Sequence, residues 1–202
     1  MCDINKIIET VNDIGKSSFT AEINPARVQE ALVLVCCTGK TVAGETGMYI
    51  KNAEQLVEKA SKAADKTNLK GIVSEVESAH GLRTKGSYTD MEFGETNSIT
   101  LKSGKRTEPD LYATDKMGVK RIIEVKSGNR TDTDQIPILL EMAMITGRRP
   151  TFIVNEGLAK YTLPPQPFRD KLFCKGIDLI DFAGTILNPK VIDPRGCGPY
   201  LP

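Results

Sequence analysis

Two acids and a lysine stand close together in the stretch from Pro109 to Lys126. It opens as Pro109-Asp110-Leu111 and closes as Ile123-Glu124-Val125-Lys126, with Asp115-Lys116-Met117-Gly118 between them as turn formers. The stretch therefore reads as a β-hairpin that returns Asp110 to the side of Glu124 and Lys126. Strand side chains alternate faces, so Glu124 and Lys126 share one face and Val125 points to the other. Two carboxylates held together repel each other unless a cation lies between them. Mg²⁺ and Mn²⁺ accept oxygen ligands of this kind, and a backbone carbonyl such as that of Val125 can add a third. A hard divalent ion so held polarises a phosphoryl oxygen and makes water more acidic, while Lys126 beside it can orient the water or stabilise developing charge. The spacing also admits a plainer reading, in which Asp110 is a turn residue and Glu124 and Lys126 are the polar face of an edge strand.

The elements that would carry these groups follow from the pattern of apolar residues. Asp3 caps a first helix with Ile4, Ile7, Ile8, Val11 and Ile14 at helical spacing, and Asn24-Pro25 opens a second through Val28, Leu32, Val33 and Val35. Asn52 caps a third, with Leu56, Val57, Ala60 and Ala64 on one side. Residues 1–66 thus read as a small helical unit, and residues 67–202 as the unit that carries the chemistry. In the second unit Asn68 caps a helix with Ile72, Val73, Val76, Ala79 and Leu82 as its inner stripe, and Gly81 marks its end. Strands are expected at 87–93, 98–102, 108–114 and 119–126, each rich in β-branched or aromatic residues and bounded by turn formers. Asp132 or Asp134 starts a further helix that tolerates Pro137 in its first turn and stops at Gly147. Thr151 to Val154 reads as a buried parallel strand. A helix at 167–174 and a strand at 177–182 follow, then a loop-like tail rich in Pro and Gly. Helices flanking a mixed sheet make this an α/β fold.

Composition narrows the function. A chain of 202 residues with a hydrophobic fraction of 40% can bury a sizeable core. No apolar run approaches a membrane span, and Met1-Cys2-Asp3-Ile4 lacks the start of a secretory signal, so a cytoplasmic site of action is expected. The five cysteines show no Cys-x-x-Cys spacing, which favours reduced thiols over a disulfide framework or zinc site. The net charge of +1 gives no global field for polyanions. Basic residues nevertheless concentrate between Lys102 and Arg149, around the acids. Gly39-Lys40-Thr41 is not a phosphate-binding P-loop, because position 34 is Leu34 where that motif needs glycine. His80 is the only histidine, so no Ser-His-Asp or Cys-His scheme has support beyond it. Tyr88, Tyr112 and Tyr161 could stack on bases, though strand tyrosines usually serve packing.

Asp110 with Glu124-x-Lys126, on strands between two helices, resembles the PD-(D/E)xK nuclease superfamily over residues 70 to about 155. The resemblance implies a restriction-endonuclease-like αβββαβ core and a Mg²⁺- or Mn²⁺-dependent endonuclease. Asp110, Glu124 and the Val125 carbonyl would hold the metal, and Lys126 would serve the attacking water. That family often places an acid on the helix before the strands. Glu75 matches it, and Glu77 lies on another helix face. It also often has a polar residue on the helix after them, which Gln135 matches, where it could bind a phosphate or fix Lys126. The small core behind a helical attachment is similar to nuclease toxin domains of bacterial contact-dependent growth inhibition. That similarity implies DNA, or alternatively tRNA, as substrate, delivery into target bacteria, and an immunity protein as partner. A restriction or repair endonuclease, or an inactive nucleic-acid-binding module, are the other readings. One departure is the extra strand-like segment at 97–102, which is either an insertion or part of a long first hairpin.

Overall fold

The computed structural model describes residues 50–62, 66–84, 88–94, 97–127, 134–155, 166–180, 186–187 and 195–197. The helices expected before residue 50, the Gly39 loop, Tyr161 and most of the tail lie outside them. Among the described residues no helix is long and apolar enough to cross a membrane.

The chain runs β1 (Ile50–Lys51), α1 (Ala53–Lys62), α2 (Lys66–Thr84), β2 (Tyr88–Phe93), β3 (Ile99–Thr100), β4 (Arg106–Thr107), β5 (Leu111–Asp115) and β6 (Lys120–Ser127). It continues through α3 (Gln135–Thr146), β7 (Arg149–Asn155), α4 (Gln166–Cys174), β8 (Asp178–Ile180) and β9 (Ile186–Leu187). Seven strands form one mixed sheet in the order β1-β2-β5-β6-β7-β8-β9. The pairs β2–β5 and β5–β6 are antiparallel, and β6–β7 and β7–β8 are parallel. The segment expected at 98–102 belongs to a separate two-stranded ribbon, β3 with β4 (Ile99↔Thr107), inserted between β2 and β5.

The alternation of the strands divides the core into two layers. Ile123 and Val125 of β6 face a cluster that holds Leu56 and Ala60 of α1 and Ile72, Val76 and Leu82 of α2. Ile122, just before them in sequence, faces the opposite cluster with Ile136, Leu139 and Met142 of α3 and Phe168 and Leu172 of α4. Helices therefore cover both faces of the sheet, as an α/β chain requires. Ile50, Ala53, Leu56 and Ala60 join the first cluster, so residues 50–62 share the sheet and core of the residues beyond 66.

The β5–β6 turn forms as its residues dictate. Asp115 Oδ1 accepts the Met117 and Val119 N–H groups at 2.9 Å each, and Gly118 takes the left-handed φ of 80°. Helix α3 has Asp134 as N-cap, without a side-chain capping bond, and ends on Gly147 at φ 64°. Three sequence expectations need correction. Helix α2 starts at Lys66 before Asn68, and it passes through Gly81 to Thr84, because the buried stripe continues through Leu82. Strand β5 starts at Leu111 rather than residue 108, since Pro109 has no N–H to give a ladder. Cys174 and Cys197 are joined in a disulfide, Cα–Cα 5.4 Å, where reduced thiols were expected; a pair 23 residues apart carries no spacing motif.

Candidate active site

The antiparallel ladder of β5 with β6 ends at the pair Leu111↔Ile123. Beyond it β6 continues through Ser127, paired only with β7. The two strands part here, and Asp110, Glu124, Val125 and Lys126 sit at the opening. Continuing the register by two residues sets Val125 opposite Pro109. Proline has no N–H to offer the Val125 carbonyl. The Val125 N–H donates instead to Asp110 Oδ2 at 2.6 Å, so a side chain takes over where the ladder stops.

Gly94 explains this switch. Its N–H donates to the Asp110 carbonyl at 3.1 Å, which fixes the backbone at Asp110. A Cβ at position 94 would lie 1.7 Å from the Pro109 carbonyl oxygen. Only glycine lets the Pro109-Asp110 backbone pass this close to the end of β2. Sequence reasoning missed Gly94; a glycine directly after the apolar end of a strand is the signal that could have found it.

Glu124 is 8% exposed in a central strand, which removes the reading of an edge-strand polar face. Its Oε1 accepts from Lys126 Nζ at 2.7 Å, the partner a buried acid needs. Among the described residues neither Asp110 Oδ1 nor Glu124 Oε2 is used in a hydrogen bond. Helix α2 packs on β6 and brings Glu75, 7% exposed, to the same neighbourhood. Lys59 of α1 pairs with Glu75 Oε1 at 3.7 Å. Burial first, then the negative charges of Glu124 and Glu75, push the Asp110 carboxyl well above the usual carboxylate range; the Val125 N–H and Lys126 pull the other way.

Three of the residues singled out from sequence, Glu75, Glu124 and Lys126, are thus each within electrostatic reach of a fourth, Asp110. Gln135 is the first residue of α3, and among the described residues its side chain makes no hydrogen bond to them. Glu77, assigned to another face, is buried as well, because α2 is enclosed all round from Ile72 to Ala79. Tyr88 and Tyr112 are both buried and serve packing. His80 lies inside α2, not at its end.

Among the described residues, no group of three His, Cys, Asp or Glu side chains converges tightly enough to enclose a metal ion unaided. The donors at hand are two carboxylates with an oxygen to spare and a main-chain carbonyl that its ladder neighbour cannot satisfy. That oxygen-only set fits a hard divalent ion that keeps several waters. No family model and no curated protein matches the chain.

Proposed function

We propose that this chain is a metal-dependent endonuclease of the PD-(D/E)xK type, with DNA as the favoured substrate and tRNA as the other. The observation that carries the reading is the convergence of Asp110, Glu124, Lys126 and Glu75 where β5 and β6 part. The order α2, β2, β5, β6, α3, β7 supports it, since it repeats the expected αβββαβ succession once the β3–β4 ribbon is set aside as an insertion.

Asp110, Glu124 and the Val125 carbonyl would hold Mg²⁺ or Mn²⁺, which when bound supplies charge neutralisation at the phosphate and a more acidic water. The chain's own groups do the positioning. The Val125 N–H fixes one Asp110 oxygen, which leaves Oδ1 directed by geometry rather than by rotamer choice. Lys126, tethered to Glu124, holds a positive charge beside the reacting phosphate. There it can orient the attacking water or stabilise the charge that builds on the non-bridging oxygens. Hydrolysis places the water oxygen on phosphorus as the P–O bond to the leaving nucleotide breaks, and the water's protons end on solvent and the leaving oxygen. Glu75, buried where α2 packs on the sheet, keeps bulk water from the far side.

Incubation with plasmid DNA and with total tRNA, each with Mg²⁺, Mn²⁺ or EDTA, tests the reading. Metal-dependent cutting that falls about 100-fold or more in Glu124→Gln and in Lys126→Ala supports it. Equal activity in both variants sinks it. The narrower reading of a delivered toxin domain with an immunity partner rests on the resemblance alone. Toxicity on expression, relieved by a neighbouring small gene product, is its test. Intact Asp110, Glu124 and Lys126 weigh against an inactive binding module.

A further inference from the structure

A cavity of about 410 Å³ runs along the chain from Arg106 to Asp110, with Ser98 of the ribbon segment and Lys59 of α1 on its walls. One wall therefore belongs to the candidate metal-binding residue and the rest to the β3–β4 insertion and α1. Two acids, Glu108 and Asp110, and two cations, Arg106 and Lys59, line it. Lys59 is already paired with Glu75, so among the described residues Arg106 is the lining cation with room for an anion.

Arg106 is prepared for that anion. Its Nε–H donates to Ser98 Oγ at 2.9 Å, which fixes the plane of the guanidinium. Among the described residues its two Nη groups make no other bond, so they present a planar pair of donors suited to a phosphate. Lys59 of α1 lines the same cavity while its ammonium is paired with Glu75. Arg148, by contrast, stacks on the Tyr112 ring at 4.7 Å, and Arg121 is locked in buried ion pairs. Of the basic residues between 102 and 149, Arg106 is the one in the cavity wall that contains Asp110.

We propose that Arg106 forms a phosphate subsite that grips the polynucleotide strand beside the bond cut at Asp110. The subsite rests on the nuclease reading and deepens it. Four residues of extended chain reach at most about 14 Å, so Arg106 meets a phosphate no more than about four nucleotides from the one at Asp110. The inserted ribbon is then a strand-holding device added to the catalytic core, and the ligand is recognised by its phosphodiester chain rather than by its bases.

Fluorescence anisotropy with labelled single-stranded DNA, duplex DNA and RNA, all in the Glu124→Gln background to prevent cutting, reads binding apart from catalysis. Arg106→Ala is expected to weaken binding about tenfold and to lower the salt slope by about one. Arg106→Lys is expected to restore the slope but only part of the affinity, because it keeps the charge without the fork. Lys116→Ala, on the exposed β5–β6 turn, is expected to change neither. The preferred probe among the three identifies the strand type. Binding that is unchanged in Arg106→Ala overturns the subsite and leaves the nuclease reading to the cleavage assay. Binding lost equally in Lys116→Ala, or absent for all three probes, also overturns it. Weakening by Arg106→Ala in a protein that cuts nothing would instead retain the subsite and discard the nuclease.

Discussion

The main-chain N–H of Val125 donates to the carboxylate of Asp110, at 2.6 Å and 15 residues away in the chain. This bond replaces the ladder hydrogen bond that would follow Leu111↔Ile123. It ties the backbone of the Glu-x-Lys strand to the acid that opens the preceding strand, so the spacing of the two carboxylates depends on the main chain.

The same acid is strained electrostatically in the absence of a cation. Its folded carboxyl is raised by burial and by Glu124 and Glu75, so the proton is held more tightly in the folded than in the unfolded state. The stabilising contribution is fully present below about pH 4 and is lost as pH rises through the raised folded value. Asp110→Asn keeps an acceptor for the Val125 N–H and cannot ionise. In EDTA at neutral pH its melting temperature is expected to exceed that of the parent by a few degrees, with the gap opening as pH rises. Melting curves across a pH series check this, and a gap that does not vary with pH would refute it.

Gly94→Ala tests whether the end of β2 sets the geometry. The added Cβ meets the Pro109 carbonyl at 1.7 Å, so the backbone at Pro109-Asp110 must move. A cost of about 1–3 kcal/mol is expected, with a cleavage loss larger than the stability loss explains. Chemical denaturation and single-turnover cleavage on the same preparation separate the two. Activity equal to the parent's in a folded variant would remove Gly94 from the positioning role.

At the other end of β6, Arg121 ties three strands together. Its guanidinium bonds Asp115 of β5 and Asp178 of β8, and Arg149 of β7 also reaches Asp178. Arg121→Ala leaves Asp115 without its cation and Asp178 with Arg149 alone, and a loss of about 3 kcal/mol is expected. Burial pushes the Asp115 carboxyl up, but hydrogen bonds from Val119 N–H, Arg121 and Met117 N–H outweigh it and hold the group below its ordinary value. Its contribution is present above about pH 4 and is lost as pH falls through the depressed folded value. Asp115→Asn is accordingly expected to flatten the acid limb of the stability–pH profile.

The Cys174–Cys197 disulfide joins the last residue of α4 to the short turn at Arg195–Cys197. Closing a loop of 23 residues is worth about 3 kcal/mol on the chain-entropy account. Melting with and without reductant, beside Cys174→Ser, measures it. A reductant effect that persists in Cys174→Ser would assign the effect to other cysteines.

The β5–β6 hairpin was legible because its signals are local. The Asp115–Gly118 turn, the period-two alternation through Ile122 to Lys126, and the Gly147 stop each lie within a few residues. What escaped depends on partners far off in the chain. Ile50–Lys51 and Ile186–Leu187 are too short to show a period and become strands only by pairing with β2 and β8. Gly81 reads as a helix stop, yet burial on both sides carries α2 past it. Glu77 looks solvent-facing on a wheel drawn for one buried side, but α2 is covered from two. Gly94 matters only through Pro109, which no window around either residue reveals.

Strand β1 also decides how short the chain can be made. Ile50 and Lys51 cap the outer side of β2 at Met91 and Glu92, and Asn52 donates to Glu92 and to the Phe93 carbonyl. A fragment beginning at residue 67 would strip that cover and bare the α2 surface that Leu56 and Ala60 fill. The outer row of N–H and C=O groups on β2 would then be open to a second copy of itself. Such a fragment is expected to self-associate through β2 while Asp110, Glu124 and Lys126 all remain in it.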